Sequence, residues 1–143
     1  MKLIASTGVL MLLADGTFLL QHRDNRPGIF YPGKVGLFGG EIETGETPVM
    51  GAIREIREEL SIDIDPPLLF NVLSLDSNID FRFRRRYFYV ANISEYQHSK
   101  ITLREGQGIV RINANKIDVT CSEFVPYDLG FILEFIEYQN ITK

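Results

Sequence analysis

Cysteine occurs once in the 143 residues, at Cys121, and histidine twice, at His22 and His98. A single cysteine excludes an intramolecular disulfide framework and suits a reducing compartment, so a cytoplasmic location is expected. Too few of either residue are present for a zinc cluster of Cys and His. Cys121 also has no His–Asn or His–Asp context that would make it a nucleophile, and it reads as a small half-buried side chain. Positive charge is scarce as well, with 15 Lys and Arg against 19 Asp and Glu for a formal net charge of −4. Without a global positive field the chain does not attract nucleic acid at long range, and a duplex partner is not expected.

Long apolar runs are missing too. The best candidate, residues 3–14, follows Lys2 in the manner of a signal peptide, yet it is too short and too interrupted to span a bilayer. No membrane partner is expected. Directly after it come Asp15-Gly16, a hairpin turn pair, and the strand-like residues 17–23. The run therefore reads as a buried strand with a hairpin partner of matching length. One domain over residues 1–143 can bury a full core without staples.

What the chain does have is acid in one place. Residues 40–62 hold six acids (Glu41, Glu43, Glu46, Glu55, Glu58, Glu59) and two bases (Arg54, Arg57), and the 13 acids and 13 bases elsewhere cancel. Thr47 is a good N-cap and Pro48 suits the first helical position, which predicts a helix from about Pro48 to Leu60. On it Glu55, Glu58 and Glu59 stand at i, i+3 and i+4 and share a face. Val49, Ala52, Ile53, Ile56 and Leu60 form an apolar stripe, expected about 100–140° away, so that the carboxylates look to solvent. Like charges at this spacing destabilise a helix by roughly 0.2–0.5 kcal/mol per pair, and a divalent cation reverses the sign. Carboxylate oxygens favour Mg²⁺ or Mn²⁺ over zinc, and Mg²⁺ commonly takes substrate phosphates as remaining ligands.

Gly40, five residues, Glu46, seven residues, Arg54-Glu55-Ile56-Arg57-Glu58-Glu59-Leu60-Ser61-Ile62 resembles the signature of the Nudix hydrolases. Ser61 departs from it, standing where the family usually has Gly and where a left-handed turn closes the helix; Phe38 stands where Pro is common. The resemblance implies an α/β fold, a Nudix-type α/β/α sandwich around a mixed sheet. It implies Glu55, Glu58 and Glu59 as ligands of Mg²⁺, for which Mn²⁺ can substitute, with the Gly40 carbonyl as a further ligand. Arg54 would hold Glu58 in position, Gly39 and Glu46 would shape the box, and Glu58, Glu59 and Arg54 would act in catalysis. Some members that hydrolyse nucleoside triphosphates carry a stretch like Glu105-Gly106-Gln107, so Glu105 is expected as an additional ligand or base.

Elsewhere, residues 24–34 carry Asn25, Pro27, Gly28, Pro32 and Gly33 and read as a loop. Strand-like runs at 35–38, 68–75, 81–93 and 108–112 precede a helical pattern at 128–138. Alternation through residues 81–89 sets Arg82, Arg84 and Arg86 on one face, expected charged and wet, and Phe81, Phe83, Arg85, Tyr87 and Tyr89 on the other. Arg84 and Arg86, with Arg23, are the candidates to grip substrate phosphates or stack on a base. The expected activity is metal-dependent hydrolysis of a nucleoside diphosphate linked to another moiety, foremost an intact or damaged nucleoside triphosphate giving nucleoside monophosphate and pyrophosphate. The alternatives are a pyrophosphatase of nucleotide sugars, ADP-ribose or dinucleotides, and a non-catalytic nucleotide-binding regulatory domain. Edge strands of such a sheet commonly pair two copies, so a homodimer is an expectation.

Overall fold

The computed structural model describes residues 3–77 and 82–142. Its first apolar run becomes the central strand, β1 (Leu3–Leu12), because it has a partner on each side. On one side it pairs parallel with β5 (Arg82–Asn92) over ten residues, from Leu3 opposite Phe83 to Leu12 opposite Asn92. Strands covered on both faces read as near-continuous apolar runs, which explains the signal-like composition. On the other side the expected hairpin forms, but its second strand is shorter than predicted. β2 (Thr17–His22) meets β1 only at Met11–Leu19 and Leu12–Phe18.

Beyond that point a wedge separates the two strands. β3 (Val35–Gly36) pairs with β2 through Gln21 and His22, and the chain that follows runs antiparallel to β1, with bridges at Val9–Phe38 and Ser6–Glu41. The sheet is thus forked, and Gly39-Gly40 lies inside the fork. β6 (Gly108–Asn113) takes the outer edge of β2, and β4 (Leu68–Ser77) lies antiparallel to β5 with a bulge between Leu69 and Asn71. Phe81, where the aromatic–arginine run begins, lies outside the described residues, as does the side chain of Arg82.

Each face of the sheet carries one long helix. α1 (Pro48–Leu60) packs Ala52, Ile56 and Leu60 on Val9, Met11, Leu19, Phe38 and Tyr89. α3 (Pro126–Thr142) packs Phe131, Ile132 and Phe135 on Leu10, Phe18, Leu20, Leu37 and Phe88, with Phe88 and Phe131 stacked at 4.6 Å. This is the expected α/β/α sandwich around a mixed sheet. α1 has the expected bounds: the Thr47 hydroxyl accepts from Met50 N–H, and Ser61 closes the helix in the left-handed region at φ 58°. Serine makes the turn that glycine makes more cheaply, and its Oγ accepts a hydrogen bond from Arg104 Nε. Among the described residues one α-helix has no counterpart in the sequence reading. α2 (Glu95–Ser99) is a five-residue element held by a capping box between Ser94 and Gln97, too short to leave a periodic signal.

Candidate metal and active site

Of the two glycines in the fork, Gly39 is required by contact with backbone, and Gly40 leaves room for a side chain. Gly39 has φ 146°, and a Cβ there would lie 2.1 Å from the Thr7 carbonyl oxygen. At Gly40 a Cβ would lie 2.6 Å from Glu55 Cδ, so the missing side chain is the space the carboxylate fills. The Gly40 carbonyl accepts the Thr7 N–H at 2.9 Å, which turns it toward β1 and engages it where a metal ligand was expected.

Glu59 departs from the solvent-facing arrangement predicted for the helix. It is 1% exposed, its Oε1 accepting from Gly39 N–H at 2.9 Å and its Oε2 from Gln21 Nε2 at 3.0 Å. The reason lies in the helical wheel. Seven residues separate Glu59 from Ala52, so at 100° per residue the two sit about 20° apart, inside the apolar stripe. Burial pushes the Glu59 carboxyl up to about 9, with the charges of Glu105 and Glu55 adding to the effect. Burial likewise raises Glu55, against the opposing pull of Arg54. Glu58 remains on the rim, with its side chain 57% exposed.

Arg54 is the hub of the outer carboxylates. Expected to hold Glu58, it spends its fork on Glu46, with Nε on Oε2 at 2.8 Å and Nη2 on Oε1 at 3.0 Å. Nη1 reaches Glu55 at 3.0 Å and Glu58 at 3.2 Å, and Nη2 also donates to the Glu41 carbonyl. Glu46 in turn accepts from the Glu43 N–H, and its bond to Arg54 holds its carboxyl below the usual range. Arg54 and Glu46 together therefore pin the loop between Gly40 and the helix.

Glu105, distant in sequence, comes to the same place. The Arg104 N–H donates to the Glu59 carbonyl at 2.8 Å, the Thr102 N–H to the Leu60 carbonyl at 2.9 Å, and the Gln107 N–H to the His22 carbonyl at 2.7 Å. Gly106 makes the close turn at φ 90°, where a Cβ would meet His22 O at 2.8 Å. The loop is thereby tied to the end of α1 and the end of β2, and Glu105 is near enough to raise both Glu55 and Glu59.

The donor set fits a hard divalent ion by type, since four carboxylates crowd one another and burial makes two of them, Glu55 and Glu59, resist ionising. Among the described residues no three such side chains already stand in ligating geometry, because Arg54 holds Glu55 and Glu58 while Glu59 is turned onto Gly39. The Thr7 hydroxyl is buried there without a hydrogen-bond partner among the described residues.

The arginines divide. Arg23 Nε donates to the Phe30 carbonyl at 2.9 Å, and the Arg84 guanidinium lies 4.7 Å over the Phe30 ring. Arg86, expected on a wet face as a substrate ligand, is instead paired with the buried Asp128; the face it shares with Phe88 is closed by α3. Sequence reasoning missed Gln21 and Asp128. The available signal was a polar side chain at a position that strand or helix periodicity assigns to the core.

The family model of the NUDIX domain matches residues 2–128. Among solved structures the chain is similar to a MutT protein from Methanosarcina mazei Go1, with 20% identity, 96% of each chain covered and a TM-score of 0.77. It is also similar to a MutT NUDIX hydrolase from Burkholderia pseudomallei, with 20% identity, 94% of this chain and 98% of that one covered and a TM-score of 0.74. An E. coli dihydroneopterin triphosphate pyrophosphohydrolase shares 17% identity over 94% of this chain and 95% of that one, with a TM-score of 0.70. At such identities the likeness speaks for the fold, while the family match spans the forked sheet, α1 and the Glu105 loop. No helix among the described residues is long and apolar enough to cross a membrane. Gly39-Gly40 in its fork, the carboxylates of α1 and the match over residues 2–128 make this chain a member of the Nudix family, a pyrophosphohydrolase of nucleoside diphosphate-linked compounds.

Proposed function

We propose that the protein hydrolyses a nucleoside triphosphate, intact or damaged, to nucleoside monophosphate and pyrophosphate, with Mg²⁺ as its cofactor and Mn²⁺ able to replace it. The observation that carries this reading is the tethering of residues 102–107 to both α1 and β2. That loop sets Glu105 beside the α1 carboxylates, and its Glu-Gly-Gln stretch is the feature the family resemblance ties to triphosphate substrates. The 24–34 loop supports the same choice. Arg84 stacks on Phe30, and Tyr31 packs edge-on against Tyr127 at 5.7 Å, so the loop lies folded against the protein instead of opening for a second sugar or nucleotide.

Glu55, Glu58, Glu59 and Glu105 would hold the ion, with the Gly40 carbonyl, which keeps a second lone pair beside the Thr7 N–H, as a further ligand. When bound, it supplies positive charge to the phosphoryl oxygens and lowers the pKa of a water. Of the two candidate bases, Glu59 has both oxygens hydrogen-bonded in a buried site, whereas Glu105 is exposed and takes the proton of the attacking water. Arg54 acts through Glu46 and Glu55 as a positioning residue, and Arg23 and Arg84 meet phosphate charge at the rim.

The test is a product-resolved screen of dNTPs, dinucleotides, nucleotide sugars and ADP-ribose with Mg²⁺ or Mn²⁺. Release of nucleoside monophosphate and pyrophosphate is expected, falling about 10²-fold or more in Glu58→Gln. Activity that survives both chelation and Glu58→Gln would sink the metal assignment. Tight nucleotide binding by calorimetry with no turnover would make the protein a regulator. The outer strand β4, with Leu68, Leu69 and Val72 exposed, supports a homodimer, and light scattering should then return twice the 16.3 kDa of one chain.

A further inference from the structure

On the face of the sheet opposite α1 lies an ion pair that the site as described does not use. Arg86 of β5 and Asp128 in the first turn of α3 meet at 2.9 Å from Nε to Oδ1 and 3.3 Å from Nη2 to Oδ2, with side chains 15% and 3% exposed. Two glycines clear the space. A Cβ on Gly8 would lie 2.7 Å from Arg86 Nη2, and one on Gly36 would lie 2.8 Å from Asp128 Oδ2. An apolar pair of similar volume commonly stabilises a core as well as a buried ion pair does, or better. Stability alone therefore does not account for this pair.

Its remaining bonds lead to the fork. Asp128 Oδ2 accepts the Leu37 N–H at 3.0 Å, and Arg86 Nη1 donates to the Thr7 carbonyl at 2.9 Å and to Ser6 Oγ at 3.3 Å. Thr7 also gives its N–H to the Gly40 carbonyl. In a strand the N–H and C=O of one residue point the same way, so the Thr7 carbonyl faces the incoming segment too. An arginine N–H thus enters the ladder where Gly39 presses hardest on that carbonyl. Arg86 holds β1 at Thr7, Asp128 holds the other prong at Leu37, and the Gly39 N–H between them donates to Glu59 Oε1.

We propose that Arg86 and Asp128 are positioning residues for the reaction: they set the spacing of the fork, and through Gly39 the placement of the Glu59 carboxylate, while touching neither substrate nor metal. The proposal rests on the reading of the site given above. The closing experiment compares wild type with Arg86→Lys, Asp128→Asn and the apolar exchange Arg86→Met/Asp128→Leu. It measures urea midpoints, Mg²⁺ half-saturation, kcat and KM for four dNTPs of different base, and amide hydrogen exchange at Gly39 and Gly40.

The apolar exchange is expected to remain folded with a midpoint near that of wild type. Its kcat should fall roughly 10²-fold, the penalty typical of a displacement near 1 Å at a catalytic group. Half-saturation by Mg²⁺ should rise, KM and the ranking of the four bases should stay unchanged, and exchange at Gly39 should be faster. Arg86→Lys, which keeps the charge, should lose less kcat than Asp128→Asn, and these two variants carry the same comparison if the apolar exchange does not fold. Unchanged kcat and Gly39 exchange, whatever happens to the midpoint, would reduce the pair to packing and overturn the proposal. A changed base ranking with kcat preserved would overturn it in favour of direct substrate contact. If wild type turns over none of the substrates, the functional reading has failed, and the Gly39 exchange rates still decide whether the pair positions the fork.

Discussion

Gly39→Ala isolates the tightest contact of the site. The added Cβ would lie 2.1 Å from the Thr7 carbonyl oxygen, where real Cβ contacts essentially never fall under 3.0 Å, so β1 and the Gly39 backbone must part by about 0.9 Å. Alanine is also strained at φ 146°, a term of about 1–3 kcal/mol. Moving Gly39 strips Glu59 Oε1 of its N–H donor, worth about 1–3 kcal/mol for a buried group. The variant should therefore lose about 2–6 kcal/mol of stability, read from urea midpoints. A displacement near 1 Å next to the Glu59 carboxylate should lower kcat about 10²-fold in what remains folded. Gly16→Ala is the control: φ there is 89°, but no atom lies within 4 Å of the added Cβ. Only backbone strain of about 1–2 kcal/mol applies, with kcat unchanged. Equal midpoints for the two variants, or full activity in Gly39→Ala, would refute the claim that the fork is held by contact.

Three further outcomes follow from the same geometry. In metal-free protein Glu59 is pushed up to about 9 from 4.5, so between these values the folded state keeps a proton that the unfolded chain has released. Stability then falls as pH rises through that window, by up to about 1.4 kcal/mol per unit. Urea midpoints in EDTA at about pH 5.5 and about pH 8.5 should show the fall in wild type and a flatter profile in Glu59→Gln, and parallel profiles would contradict it. Arg54→Lys keeps the charge but loses the two-pronged contact with Glu46, which should cost about 1.5–3 kcal/mol in a urea titration and free the 41–46 loop to proteolysis. Phe131→Ala, which empties the stack on Phe88, should cost about 3–5 kcal/mol by urea unfolding and leave Mg²⁺ half-saturation as it was.

The parts of the site legible in the sequence are those decided by close neighbours along the chain. Thr47 and Pro48 start α1 and Ser61 ends it, so the bounds of the helix and the spacing of its carboxylates are set by neighbours along the chain. Even the burial of Glu59 is local, following from its angular nearness to Ala52. The remaining contacts span 38 residues from Gln21 to Glu59, 42 from Arg86 to Asp128 and 91 from Leu37 to Asp128, and no periodicity within a strand or helix can carry them. They nevertheless leave one local trace. Thr7 shares a face of β1 with Val9 and Met11, Gln21 shares a face of β2 with Leu19, and Asp128 precedes Phe131, Ile132 and Phe135 at i+3, i+4 and i+7. All three are buried polar residues at core positions, and burying a polar group without a partner is costly. Gln21 and Asp128 each therefore mark a place where a distant segment arrives, while beside Thr7 it is the backbone that receives one. All three border the fork that holds Gly39, so misplaced polarity in the sequence points to the site from both faces of the sheet.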